Sequence, residues 1–208
     1  MKKLILASAS PRRAALLQLL GVSFSIVPSG VSEQLDTPLP PAMHVAEIAW
    51  RKMQQIAQTH THAIVLGADT VVVLEDEILE KPRDHAHAET MLAQLSGKTH
   101  QVYTGLVLSD LTTGQSLASV AVTDVVMRSL SAPEIRAYVA TGEPMDKAGA
   151  YAIQGRAAIF VESISGCFFN VVGLPLTCFW QLYHQLTGHW PVVHGSTQAE
   201  TDLLSPEV

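Results

Sequence analysis

Two long strand-like runs, residues 101–109 and 116–128, are separated by the turn Thr112-Thr113-Gly114. They are predicted to pair as antiparallel neighbours, and this pair constrains the fold more than any other feature of the chain. Helical patterns lie on both sides of it. The order of elements is therefore that of an α/β protein with antiparallel strands in the middle, a mixed twisted sheet with flanking helices. With 208 residues, 48% of them hydrophobic, the chain can build one domain with a real core, or two small lobes around a cleft.

The remaining elements follow from local signals. Residues 4–8 read as a short buried strand. A helix follows, with Ser10 as N-cap, Pro11 at the first helical position, Leu16, Leu17 and Leu20 inward, and Gly21 as its stop. Residues 24–27 are strand-like and 29–41 a loop, after which Pro40 and Pro41 open a second helix. Val45, Ile48, Ala49, Met53 and Ile56 form its apolar stripe, with Lys52 beside it. Residues 63–66 are predicted as a strand that ends in Gly67-Ala68-Asp69; residues 70–74 and 78–79 then form a hairpin turning at Glu75-Asp76-Glu77. Asp84 caps a third helix that Gly97 stops, and Ser131 with Glu134 makes a capping box for a fourth. A polar loop spans 141–155. Residues 159–164 and 168–172 are expected as a last strand pair, and 174–186 as the last helix. From Gly188 the periodicity ends, so residues 1–187 are expected as a single two-lobed domain and 188–208 as a mobile tail.

Charge and cysteine usage exclude several classes of function. Net charge is -6 and no Lys/Arg run exceeds two residues, which argues against duplex nucleic acid as a partner. No stretch approaches eighteen apolar residues, so no membrane span is expected, and the apolar run at residues 4–7 is too short for a signal peptide. Cys167 and Cys178 have neither disulfide-framework nor zinc spacing, which places the chain in the reducing cytoplasm. The pairs His60/His62 and His85/His87 are spaced by two and read as solvated surface.

Two local anomalies carry chemistry. The first is Ser8-Ala9-Ser10-Pro11-Arg12-Arg13, which puts two arginines in the first turn of a helix, where the helix dipole disfavours cations. A bound polyanion reverses that penalty, because free backbone N–H groups and two guanidinium forks then act together. The alternative is a solvated surface pair. The second anomaly is Asp69, a carboxylate between apolar runs that needs a metal ion, a cation or a reacting water as partner. Lys52, Lys81 and Lys147 are further candidate phosphate ligands, provided the fold gathers them. Ser96-Gly97-Lys98-Thr99 imitates the end of a P-loop, but Leu92 stands at the leading glycine and the helix precedes the motif, so it is set aside.

The segment from Leu6 to Arg13 resembles the opening motif of the Maf-like nucleoside triphosphate pyrophosphatases. Gly67-Ala68-Asp69-Thr70, Lys81-Pro82-Arg83-Asp84, Asp146-Lys147-Ala148-Gly149-Ala150-Tyr151 and Asn170-Val171-Val172-Gly173 follow in the family's order, over roughly residues 3–186. The resemblance implies two lobes around a central nucleotide-binding cleft, hydrolysis of a nucleoside triphosphate to monophosphate and pyrophosphate, and a divalent cation, Mg²⁺ or Mn²⁺. It implies Asp69 as catalytic residue and metal ligand, and Ser8, Arg12, Arg13, Glu33, Lys52, Thr70, Lys81 and Gln154 as substrate-binding residues. Arg12, Thr70 and Gln154 fall on the family's specificity positions and match the dTTP/UTP subclass, which is associated with nucleotide-pool sanitation and cell-division arrest. Ala152 stands where a glycine is usual, and Cys167-Phe168 replaces a more polar pair. A 7-methylguanosine triphosphate pyrophosphatase and a nucleotide-binding regulator with little hydrolysis are the alternatives, and a homodimer is left open.

Overall fold

The computed structural model describes residues 2–191. Among them, seven strands form one mixed sheet: β1 (Lys3–Leu6), β2 (Phe24–Ile26), β3 (Ala63–Leu74), β4 (Glu77–Leu79), β5 (Thr99–Asp110), β6 (Gln115–Met127) and β7 (Val161–Ser165). The order is β2-β1-β3-β5-β6-β7, with β4 also on β3. β1 is parallel to both β2 and β3, whereas the long β3-β5-β6 ladder and the β4 and β7 pairings are antiparallel. This is the mixed sheet expected from the central hairpin.

Among the described residues, six α-helices flank the sheet: α1 (Pro11–Leu19), α2 (Pro41–Ala57), α3 (His85–Leu95), α4 (Ala132–Val139), α5 (Phe168–Val172) and α6 (Leu176–Thr187). The capping residues act as their sequence predicts. The Ser10 side chain accepts from Arg13 N, Asp84 accepts from His87 N, and the Ser131–Glu134 capping box is complete. Gly21 and Gly97 follow α1 and α3 in the left-handed conformation that a residue with a Cβ adopts only with strain. Lys98, the P-loop look-alike, pairs with Glu75 on the surface instead of cradling an anion.

Strand β3 organises the molecule. It runs unbroken for 12 residues, roughly 40 Å. The sequence suggested a strand end at Gly67-Ala68-Asp69, and the structure corrects this. Its pairing to β5 continues without a break from Ile64↔Asp110 to Val73↔Gln101. Glycines of β3 and β5 serve a helix that passes over the sheet. A Cβ on Gly67 would lie 2.2 Å from the Ala49 carbonyl oxygen, and one on Gly105 would lie 2.4 Å from that of Val45. Both glycines let α2 lie directly on the sheet.

On the opposite face, two apolar clusters pack at different ends of β3. Leu66, Leu106, Leu17 and Phe179 join β1, α1 and α6 at one end, and Val72, Leu92, Val102 and Ile135 join α3 and α4 at the other. The other neighbour of β3 is divided in the same way. β1 and the Ala7 amide accompany it as far as Leu66, and β4 takes over only at Val72. Among the described residues, 67–71 therefore have no strand partner on that edge, and a cleft opens there.

Two further differences concern the C-terminal part. Residues 168–172 form helix α5 and not a strand, although two phenylalanines and two valines favour a strand locally. The turn of helix carries Asn170 onto the sheet, where its amide donates to Val102 O at 2.9 Å and Thr123 Oγ1 at 3.0 Å. Residues 156–160 make a 3₁₀ turn before β7, which is the strand foreseen near 159–164. The segment expected as a mobile tail lies outside the described residues from position 192 onward. Within them, Trp190 stacks on the His184 ring at 3.9 Å.

Candidate active site

The gap beside β3 opens into a cleft of about 460 Å³, the size of a small-molecule pocket. Ser8 to Arg13, from the β1–α1 turn, line one wall. Lys81, just after β4, and Asp146 to Gln154, apart from the glycine-alanine turn at 149–150, form the other. Asp69 and Thr70 provide the floor. All eight residues singled out for substrate binding, and Asp69, line this one cleft. So does Lys147. The surface-pair reading of Arg12 and Arg13 is thereby set aside for Arg13, which is 8% exposed.

Strand geometry explains the division of labour on the floor. Successive side chains of a strand point to opposite faces. Asp69 points toward α2, where Lys52 Nζ donates to Asp69 Oδ1 at 2.8 Å. Thr70 points the other way, and Arg13 Nη2 donates to Thr70 Oγ1 at 3.0 Å. Two neighbouring residues thus bring one anchor from each face to the same edge.

Arg13 is a buried cation with neutral partners. Its Nε donates to Gly173 O at 2.9 Å and its Nη1 to Ser8 Oγ at 3.0 Å, besides the Thr70 bond. Among the described residues no carboxylate forms an ion pair with it. Burial lowers its pKa, with Asp69 and Glu33 opposing through their charges, yet a guanidinium stays charged at neutral pH. Three of its five N–H donors are used to hold it still, and the remaining two are available to an anion.

Lys52 sits deeper than its sequence position suggested. It is 5% exposed and lies between two carboxylates, Asp69 and Glu33, the latter at 2.6 Å. Its donors are occupied by protein, so it organises the acidic side of the cleft. Lys81 Nζ reaches the other Glu33 oxygen at 3.2 Å. Burial works to raise the Glu33 carboxyl, but Lys52 and Lys81 together bring it down to about 2. Among the described residues, Asp69 Oδ2 accepts no hydrogen bond, and it is not among the buried polar atoms sealed without a partner. That oxygen is left to the cleft.

Three residues outside the expected substrate-binding set support the site. Asp146 bonds Arg12 Nη1 at 3.2 Å and also its neighbour Lys147, so its carboxylate joins the two walls. Burial favours raising its pKa, and Lys147 with Arg12 overcome this and lower it. Tyr151 forms a buried part of the wall, its hydroxyl 2.8 Å from His100 Nε2. Thr104 supports Thr70 from β5 at 2.9 Å. Asp146 was legible as an acid beside Lys147 in a loop, but its partner Arg12 lies 134 residues away.

Among the described residues, no group of three or more His, Cys, Asp or Glu side chains could hold a metal ion by itself. The donors that are present are hard carboxylate oxygens, Asp69 with one oxygen free and Glu33 beside it. They fit a Mg²⁺- or Mn²⁺-type ion that takes one or two carboxylates and completes its shell with phosphate oxygens and water.

A mixed α/β sheet split at one edge thus sets a cation-lined cleft over a buried aspartate. The chain belongs to the Maf-like protein family, whose pattern it matches over residues 3–186. It is 53% identical over 176 residues to the dTTP/UTP pyrophosphatase of Moorella thermoacetica, covering 85% of this chain and 91% of that one. The Desulforamulus reducens dTTP/UTP pyrophosphatase is 48% identical over 177 residues, 85% and 93% of the two chains. That of Photorhabdus laumondii is 46% identical over 196 residues, 94% and 98%.

Proposed function

We propose that this protein hydrolyses dTTP and UTP between the α- and β-phosphates, giving the nucleoside monophosphate and pyrophosphate. One observation carries the reading: a buried, carboxylate-free Arg13 and a buried Asp69 with an open oxygen share one cleft. The first calls for an anion and the second for a cation or a reacting water.

Charge supports the same substrate class. Arg12, Arg13, Lys52, Lys81 and Lys147 line the cleft with Glu33, Asp69 and Asp146. Five cations against three carboxylates leave two positive charges. A nucleoside triphosphate with a divalent cation carries about two negative charges, so the loaded cleft is close to neutral.

Asp69 and Glu33 are the residues that would hold the divalent cation. When bound, it neutralises charge that develops on the phosphates. Arg12, Arg13, Lys81 and Lys147 bind and orient the triphosphate. Asp69 Oδ2 receives the proton of the water that attacks phosphorus, as the phosphoanhydride bond breaks and its electron pair leaves with pyrophosphate. Lys52 holds one oxygen of Asp69 and leaves the other aimed into the cleft. At the base, the Gln154 side chain is exposed and makes no hydrogen bond among the described residues. Its amide matches the imide edge of uracil or thymine, which offers one N–H beside carbonyl oxygens.

The test is product analysis with Mg²⁺ or Mn²⁺ across a nucleotide panel. Monophosphate and pyrophosphate from UTP and dTTP are expected. Orthophosphate with diphosphate as the main products would overturn the reading.

A further inference from the structure

Base reading by Gln154 requires its backbone to be held in place, and one carboxylate does this. Glu143 opens a 3₁₀ turn, Glu143–Asp146, just after α4. Its two oxygens both accept from the Arg156 backbone amide, at 3.0 and 3.1 Å. Tyr138, from α4, donates its hydroxyl to the same carboxylate at 3.0 Å and packs edge-on against Phe160 at 5.2 Å. The carboxylate is thus anchored on one side and grips the residue two after Gln154 on the other.

Gly155 fits the same arrangement. Its backbone is extended, φ -101, a conformation open to any residue, so a torsional need does not explain the glycine. Space does. A Cβ at this position would lie 2.2 Å from Glu143 Oε1 and 2.6 Å from its Cδ. The glycine lets the chain close onto the carboxylate. The Glu143 carbonyl, for its part, accepts from Lys147 Nζ at 3.2 Å, so the same residue steadies a phosphate-side cation.

We propose that Glu143 is a positioning residue for base selection, fixing the backbone from Gln154 to Arg156 so that the Gln154 amide meets the pyrimidine edge. The inference rests on the reading of Gln154 above. Neither Glu143 nor Gly155 lines the cleft. Their effect on substrate passes through Gln154.

The experiment compares kcat/KM for UTP, dTTP, CTP and GTP in wild type, Glu143→Ala, Glu143→Gln, Gly155→Ala and the Glu143→Ala/Gly155→Ala pair, with thermal melts for each. Glu143→Ala is expected to lower UTP and dTTP by about tenfold or more, chiefly through KM, and CTP much less, as befits loss of charged hydrogen bonds behind a reading group. Glu143→Gln keeps an acceptor for the Arg156 amide and retains more of the selectivity. Gly155→Ala mimics Glu143→Ala, and the pair is no worse than either alone, because the three atoms nearest the added methyl all belong to the carboxylate. Should Glu143→Ala fail to fold, Glu143→Gln and Gly155→Ala decide. A selective wild type whose UTP-to-CTP ratio survives these variants overturns the inference alone. A wild type indifferent to the base overturns the Gln154 reading and the inference together.

Discussion

Lys52 and Asp69 meet at 2.8 Å across the interface of α2 and β3, with both side chains almost fully buried. A buried ion pair of this kind is costly to make and costly to break. Lys52 holds one carboxylate oxygen and leaves the other to the cleft.

That division predicts the effect of Asp69→Asn. The substitution is nearly isosteric, and Lys52 retains Glu33, so the fold is expected to survive. Turnover should fall by at least about a hundredfold, as for loss of a base or metal ligand. Steady-state kcat beside a thermal melt checks this; normal turnover in a folded variant would shift the role to Glu33. Lys52→Met, which strands Asp69 without its cation, should in contrast cost about 3 kcal/mol of stability, read by denaturant unfolding.

Gly67→Ala tests how α2 is seated. Its methyl would press on the Ala49 carbonyl and the Met53 amide, both backbone, so the helix itself must move. A loss of about 1–3 kcal/mol is expected from overpacking. Because Lys52 rides on the same helix, kcat should drop as well. A variant that loses stability while keeping full activity would separate helix seating from the Lys52–Asp69 contact.

Gln154→Ala should lower kcat/KM for UTP and dTTP by about 1–3 kcal/mol per lost hydrogen-bonded pair and affect CTP less. Gln154→Glu should harm UTP further, since a carboxylate accepts from the imide N–H but repels the carbonyl. Equal losses on all four nucleotides would assign Gln154 to loop shape.

Asp146 occupies the mouth of the cleft between Arg12 and Lys147, with its own side chain 66% exposed. An ion pair this exposed adds little stability, about 0–1 kcal/mol. Its carboxylate does compete with phosphate for the same cations. Asp146→Asn is therefore expected to lower KM for the triphosphate and tighten pyrophosphate inhibition by a few-fold, an effect that fades with added salt. A higher KM instead would show that Asp146 holds Arg12 in its binding position.

His100 predicts a pH dependence of stability. Burial lowers its pKa from 6.5 to about 4, and its Nδ1 is buried without a hydrogen-bond partner among the described residues. The unfolded chain binds the proton first. Stability is complete above about pH 6.5 and is lost as pH falls from there toward about 4. Thermal midpoints measured across that window should decline in wild type and decline less in His100→Gln. Parallel curves would exclude His100 as the titrating group.

Much of this protein was legible along the chain because the relevant forces act over one turn or one hairpin. Ser10, Asp84 and Ser131 cap helices through bonds three residues long. The β5–β6 pair announced itself by a tight turn between two strand-like runs, and with it the mixed character of the sheet. Motif order was enough to assemble the residues of the cleft, because the family pattern spans residues 3–186. The strand end assigned to Gly67-Ala68-Asp69 failed for a tertiary reason: Gly67 makes room for α2, whose Ala49 lies 18 positions earlier, which no local pattern records. Residues 168–172 were drawn away from strand by Asn170, whose partners lie 47 and 68 residues back in the chain. The partners of Asp69, the role of Asp146 and the space between Gly155 and Glu143 were decided in the same way, by through-space contacts that exist only once the sheet, α2 and the 3₁₀ turn at 143–146 are packed together.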